Sequence, residues 1–302
     1  MTYTLQDIYR KIGLINTDLL RDLAVSLRFG MHRSVWRGEG RIFYRIREFD
    51  QDRDNSKDIV HTLTDPDGTC YVREYVKTKE FTLVTLADLS TSMRFCLDLP
   101  HKEMMLLEIM GVLGLTCARD RDRFGCVGFS SDVVCHEYPQ AGPDNLYYVL
   151  GKVYDHFQKP PEEPRQTLGT DLDAALTFLL RQYGGDSLVV IVTDFIGCEP
   201  ILNSKLLTRV RALHDVVFLI LDDSEEFEGI KKGPGYVPQK NPETGAIVDV
   251  PRRNIDKIKS DLAKMRREIQ ATLKLQGIDS AVLTYGTHVK ELTKLFFKRR
   301  AT

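Results

Sequence analysis

Apolar and polar residues follow two rhythms along this chain. Between residues 4 and 28, Leu5, Ile8, Ile12, Ile15, Leu19, Leu20, Leu23 and Leu27 recur at helical spacing, which predicts an amphipathic helix. Residues 30–62 lose that rhythm, and the stretches "RGEG" and "FDQDRDNSKD" read as loops. The segment "GTCYVREYVKTKEFTLVTLADLS" then supplies two strands. The first alternates through Tyr71, Arg73 and Tyr75, and the second is continuously apolar.

From Phe81 onward strands and helices take turns. The segments "FTLVTLA", "RFGCVGFSS", "VVCHEYP", "DSLVVIVTDF", "DVVFLILDD" and "DSAVLTYG" read as strands. Helices are predicted at 101–118, 144–157, 171–183, 201–213, 252–275 and 288–299. Strands that are apolar on both faces and separated by helices predict an α/β fold: a doubly wound, mostly parallel sheet covered on both sides. The segment "KKGPGYVPQKNPETGAIVDVP" interrupts the alternation, and its "NPETGA" turn predicts a hairpin or lid inserted at 228–251. The expected division is an N-terminal extension over 1–79 and an α/β domain over 80–302.

Composition narrows the function classes. The chain has 302 residues, 42% of them hydrophobic and 28% charged, as an ordinary globular core requires. Its net charge of −1 gives no reason to expect a nucleic-acid partner. No apolar run approaches the ~18 residues of a membrane span, and the polar start "MTYTLQDIYRKIGL" does not read as a signal peptide. Six cysteines without a C-x-x-C pair read as core residues of a protein in a reducing compartment, so the cytoplasm is expected.

In open α/β sheets, ligands collect at the carboxyl ends of the strands. The first strand of the alternating region ends in "ADLSTSM", placing Asp88, Ser90 and Ser92 there. "VVIVTDF" places Thr193 and Asp194 at another strand end, and "TLGT" puts Thr167 and Thr170 in a loop that enters a helix. The plain reading is that Asp88, Ser90 and Ser92 cap the next helix and that Asp194 merely ends a strand. The chemical reading is a site for a hard divalent ion, which takes about six oxygen ligands and keeps several waters. On that reading the site groups lie in a strand-end loop, where removing one opens no core cavity.

Asp88-x-Ser90-x-Ser92, then Thr170, then Asp194, resembles the metal-ion-dependent adhesion site (MIDAS) of von Willebrand factor A domains. The resemblance implies Mg²⁺ or Mn²⁺ held by Asp88, Ser90, Ser92, Thr170 and Asp194, with one position open to a partner's carboxylate. The preceding stretch narrows it further. "YVREYVKTKEFTLV", "TLGTDLDAAL", "VVIVTDF" and the tail "GIDSAVLTYGTHVKELTKLFFKRR" are similar to the family of unknown function 58 (DUF58). "DNSKDIVHTLT" stands where that family carries a "GDD-x-R-x-I-D-W" run; Ile59 is kept and Val60-His61 replaces Asp-Trp. This resemblance implies a von Willebrand factor A-like, Rossmann-type fold and a non-enzymatic protein-interaction module. It also implies a MoxR-type AAA+ ATPase as partner.

The other motifs point away from catalysis. There is no G-x-x-x-x-G-K-[ST], no H-E-x-x-H, and the "GFSSD" around Ser130 lacks the second glycine of a hydrolase elbow. The alternative function is a metal-dependent phosphatase or hydrolase. Aspartyl-phosphate chemistry calls for a second acid two positions beyond the nucleophile and a lysine nearby. Position 90 is Ser, and the sequence places no lysine beside Asp88.

Overall fold

Four largely apolar runs, at Leu83–Ala87, Phe124–Phe129, Leu188–Val192 and Val216–Leu221, have almost no solvent-facing position. In the computed structural model they are the inner strands of one sheet. Described are residues 3–30, 37–50, 59–60, 69–76, 81–94, 101–159, 170–222, 236–240, 247–251 and 255–301. The strands are β3 (Thr82–Asp88), β4 (Arg123–Phe129), β5 (Val133–Ala141), β6 (Leu188–Thr193), β7 (Asp215–Asp222) and β10 (Asp279–Thr284), in the order β10-β7-β6-β3-β4-β5. All neighbours are parallel except β5, which runs antiparallel to β4. β5 alternates between half-buried and exposed positions, as an edge strand with one solvated face must.

Both faces of the sheet are covered by helices. Helices α5 (Leu172–Gln182), α6 (Lys205–Leu213) and α7 (Ile255–Leu275) share one core with the sheet, in which Leu176, Leu179, Val210, Ile269 and Leu273 meet Val84, Leu86, Val189, Ile191 and Phe218. Against the other face lie α3 (His101–Asp120), α4 (Pro143–Gln158) and α8 (His288–Ala301). Helix α3 is buried nearly all round. A helix that is apolar on every side needs cover on every side, and the first two helices supply it.

These are α1 (Leu5–Gly13) and α2 (Thr17–Gly30), two helices where the periodicity predicts one. Ile8, Ile12, Leu20, Leu23 and Leu27 are buried, and both helices pack on α3, with α2 also on α8. Gly111 of α3 is where α1 comes closest: a Cβ there would overlap the Ile12 side chain. The division between units therefore differs from the expected boundary at 79/80. Met1–Met31 belong with Thr82–Thr302, because the apolar stripe of the first helices has its partner in α3.

The second unit is His32–Phe81. In it β1 (Arg37–Glu48) pairs antiparallel with β2 (Tyr71–Val76), and Ile59 bridges to Val72. Most of the 54–64 run lies outside the described residues. Within 228–251, β8 (Tyr236–Lys240) pairs antiparallel with β9 (Ile247–Pro251), the hairpin that the turn signal predicts. The "NPETGA" turn itself lies outside the described residues.

Candidate metal centre

The chain leaves β3 for β4 on one side and later returns to lay β6 on the other. The crevice beyond the carboxyl ends of β3 and β6 is thus the switch point of the sheet, where open α/β folds form their binding sites. Parallel register aligns Ala87 with Val192 and Asp88 with Phe129, so the residues that follow these strands emerge side by side.

Asp88, Ser90, Ser92 and Asp194 are joined there in a single hydrogen-bonded array. Asp88 Oδ1 accepts the Ser90 N–H at 2.9 Å, and its Oδ2 accepts the Thr193 hydroxyl at 2.6 Å. The Ser90 and Ser92 hydroxyl oxygens lie 2.9 Å apart. Ser92 Oγ donates to Asp194 Oδ1 at 3.2 Å, and the Ile196 N–H reaches the same oxygen at 3.0 Å. Ser90 and Ser92 are 2% exposed, and both aspartates are fully buried, so Asp88 is a core group at a central strand and not part of an exposed loop. Burial, with the nearby Asp194 charge second, pushes the Asp88 carboxyl up to about 7, against the pull of its Ser90 and Thr193 hydrogen bonds.

Local structure holds these groups in place. The chain turns after Asp88 through a short 3-10 segment, Thr91–Arg94. Arg94 then caps the end of α4, donating to the carbonyls of His156 at 2.7 Å and Lys159 at 2.6 Å. On the β6 side Phe195 sits at φ 66°, a region that a bulky side chain seldom enters. Its N–H donates to Thr193 Oγ1 at 2.9 Å and its ring packs on Phe218, so the turn presenting Asp194 is fixed from both ends.

Thr170 is buried immediately before α5. The next residue, Asp171, donates its N–H to the Ser130 carbonyl at 2.7 Å, which ties this start to the end of β4, and its side chain caps the helix through the Ala174 N–H. Among the described residues no hydrogen bond links the Thr170 hydroxyl to the other four side chains. Thr167 lies outside the described residues.

Sequence reasoning missed two members of the array. Thr193 was visible in "VVIVTDF" but not as the partner of Asp88; a threonine hydroxyl at a strand end aligned with a carboxylate was the available signal. Lys102 is the other. Its Nζ lies 3.1 Å from Asp194 Oδ2 and 3.3 Å from the Ser92 carbonyl, and its side chain is 2% exposed. A lysine opening a long apolar helix faces the positive end of the helix dipole, so it signals an anion close by.

The donors suit a hard cation. Hydroxyl and carboxylate oxygens match Mg²⁺ or Mn²⁺ and not a soft metal. Among the described residues no three His, Cys, Asp or Glu side chains gather as a metal-holding group, so any ion here depends on the hydroxyls. The array is poorly arranged for attack by Asp88, because both of its oxygens already accept hydrogen bonds in a fully buried position.

No helix among the described residues is long and apolar enough to cross a membrane. No curated protein matches the chain. Solved structures similar to it include the conserved hypothetical protein BatB from Bacteroides thetaiotaomicron, at 12% identity over 74% of this chain and 100% of that one, with a TM-score of 0.39. An aerotolerance-related membrane protein from Bacteroides fragilis matches at 14% identity over 73% of this chain and 98% of that one, with a TM-score of 0.40. A von Willebrand factor type A protein from Catenulispora acidiphila matches at 12% identity over 75% of this chain and 44% of its own, with a TM-score of 0.38. The family described as "Protein of unknown function DUF58" matches residues 46–272, and the chain belongs to that family.

Proposed function

We propose that this protein is a non-enzymatic interaction module that captures a partner's carboxylate through a divalent ion, Mg²⁺ or Mn²⁺, at the end of β3 and β6. One observation carries this reading: two serine hydroxyls side by side and flanked by two buried carboxylates, at the switch point of the sheet. Ser90, Ser92 and Thr170 would supply neutral oxygens. Asp194 orients Ser92, while Asp88 fixes the Ser90 backbone and Thr193. Neutral ligands leave a bound ion most of its charge for an outside anion. The partner is a protein, and the family resemblance favours a MoxR-type AAA+ ATPase. The five described cysteines are free thiols, which suits the cytoplasm.

The test is calorimetric titration of chelator-stripped protein with Mg²⁺ and Mn²⁺, paired with capture of the ATPase with and without chelator. Saturable binding is expected. Ser90→Ala and Asp88→Asn, which preserve packing volume, should weaken it by about tenfold or more while circular dichroism is unchanged. ATPase capture should fail in chelator and in Thr170→Ala. Wild-type ion affinity in both Ser90→Ala and Asp88→Asn would remove the site, and phosphatase turnover would favour the enzymatic alternative.

A further inference from the structure

Lys102 does not fit a simple oxygen-lined ion site. Burying an ammonium strips it of water, and the first turn of a helix favours anions over cations. The structure offsets both costs with Asp194, whose Oδ2 lies 3.1 Å from Nζ, and with the Ser92 carbonyl at 3.3 Å. The other oxygen of the same carboxylate accepts the Ser92 hydroxyl at 3.2 Å. One carboxylate therefore serves both the ammonium and the hydroxyl array.

We propose that Lys102 is a built-in counter-ion of this site, holding Asp194 against its ammonium so that a divalent ion binds only in competition with it. The proposal rests on the metal-dependent reading above. The site then never stands as a bare pair of buried carboxylates, and its affinity for the ion is set by exchange against a positive charge already in place. With ion and ammonium both present, the two carboxylates are outnumbered by one positive charge, which an incoming carboxylate would cancel. A residue that merely supported Asp194 would act oppositely: its loss would loosen the carboxylate and weaken the ion.

The discriminating experiment titrates the full, chelator-stripped chain with Mn²⁺, following free Mn²⁺ by electron paramagnetic resonance and melting temperature in parallel. Lys102→Met keeps most of the stem and removes the charge. It should bind Mn²⁺ about tenfold more tightly or better, because one nearby positive charge is gone. Without the ion it should melt below wild type, and saturating Mn²⁺ should raise its melting temperature by more than it raises that of wild type. Lys102→Arg should keep wild-type affinity. Lys102→Gln, which keeps a neutral N–H donor in place of the ammonium, carries the same expectation if the methionine variant fails to fold. Unchanged or weaker Mn²⁺ binding in the neutral variants, with wild type binding normally, overturns the counter-ion role and leaves the ion site standing. Absence of binding in wild type and variants alike overturns both.

Discussion

Helix α3 carries buried ion pairs at two places six residues apart. Lys102, on its first turn, meets Asp194 beyond the sheet. Glu108, near its middle, meets Lys11 of α1 at 2.6 Å and His288 of α8 at 2.9 Å. The Glu108 cluster is scaffold: it fastens the helices that cover α3, and Lys11 is still 42% exposed. The Lys102 pair lies among serines and a second carboxylate beyond the carboxyl ends of β3 and β6. Buried ion pairs of similar length thus sit in different surroundings. What separates them is what else lies within reach: other helices in one case, serine hydroxyls and a second carboxylate in the other.

The first way to break the comparison is at Glu108. Glu108→Ala leaves the buried His288 without its carboxylate and unties α1 and α8, and should cost about 3 kcal/mol by urea denaturation. Mn²⁺ binding should not change in this variant. A loss of ion affinity would join the two places into one system and void the distinction.

Next in size is a pH effect at Glu103, which lies beside Lys102. Burial raises its carboxyl to about 7, although Tyr3 donates to it at 3.0 Å and Arg94 also pulls it down. The folded state therefore holds a proton that the unfolded chain has released between its ordinary value of 4.5 and about 7. Stability from this group is present below pH 4.5 and is lost as pH rises toward about 7. The expected decline is on the order of 3 kcal/mol, read from urea midpoints across that window. Glu103→Gln, which can still accept from Tyr3, should make the decline shallower and leave the share that the raised Asp88 carboxyl contributes over the same window; an unchanged profile would assign the effect to Asp88 alone.

The smallest effect sharpens the scaffold side. Lys11→Met should cost only about 0.5 kcal/mol, because a half-exposed ion pair contributes little and Glu108 keeps His288 as a partner. A cost near that of Glu108→Ala would make Lys11, and not His288, the partner that matters.

Much of this was legible in sequence. Strands with no polar face, such as "LVVIVT", demand helices on both sides, and the parallel sheet follows. Strand-end logic placed the D-x-S-x-S and "VTD" segments at the same edge of the sheet. Less legible was the role of α1 and α2. Their stripe of Ile8, Ile12, Leu20 and Leu23 announced a buried face but not its partner, so the first 31 residues looked like an extension and not the cover of α3. The antiparallel run of β5 was hidden for a similar reason: alternation in "VVCHEYP" reports one wet face, not strand direction.

The sequence by itself determined the layers and the inventory of strand-end oxygens, because periodicity and strand-end position are local properties. Only the tertiary structure decided which of these oxygens meet. The order β6-β3-β4 sets Asp88 against Thr193 and brings Ser92 to Asp194, 102 positions away in the chain. It also carries the Lys102 ammonium to that same carboxylate, 92 positions away. A charge can be buried only where an opposite charge awaits it, and no local pattern states where the chain will supply one.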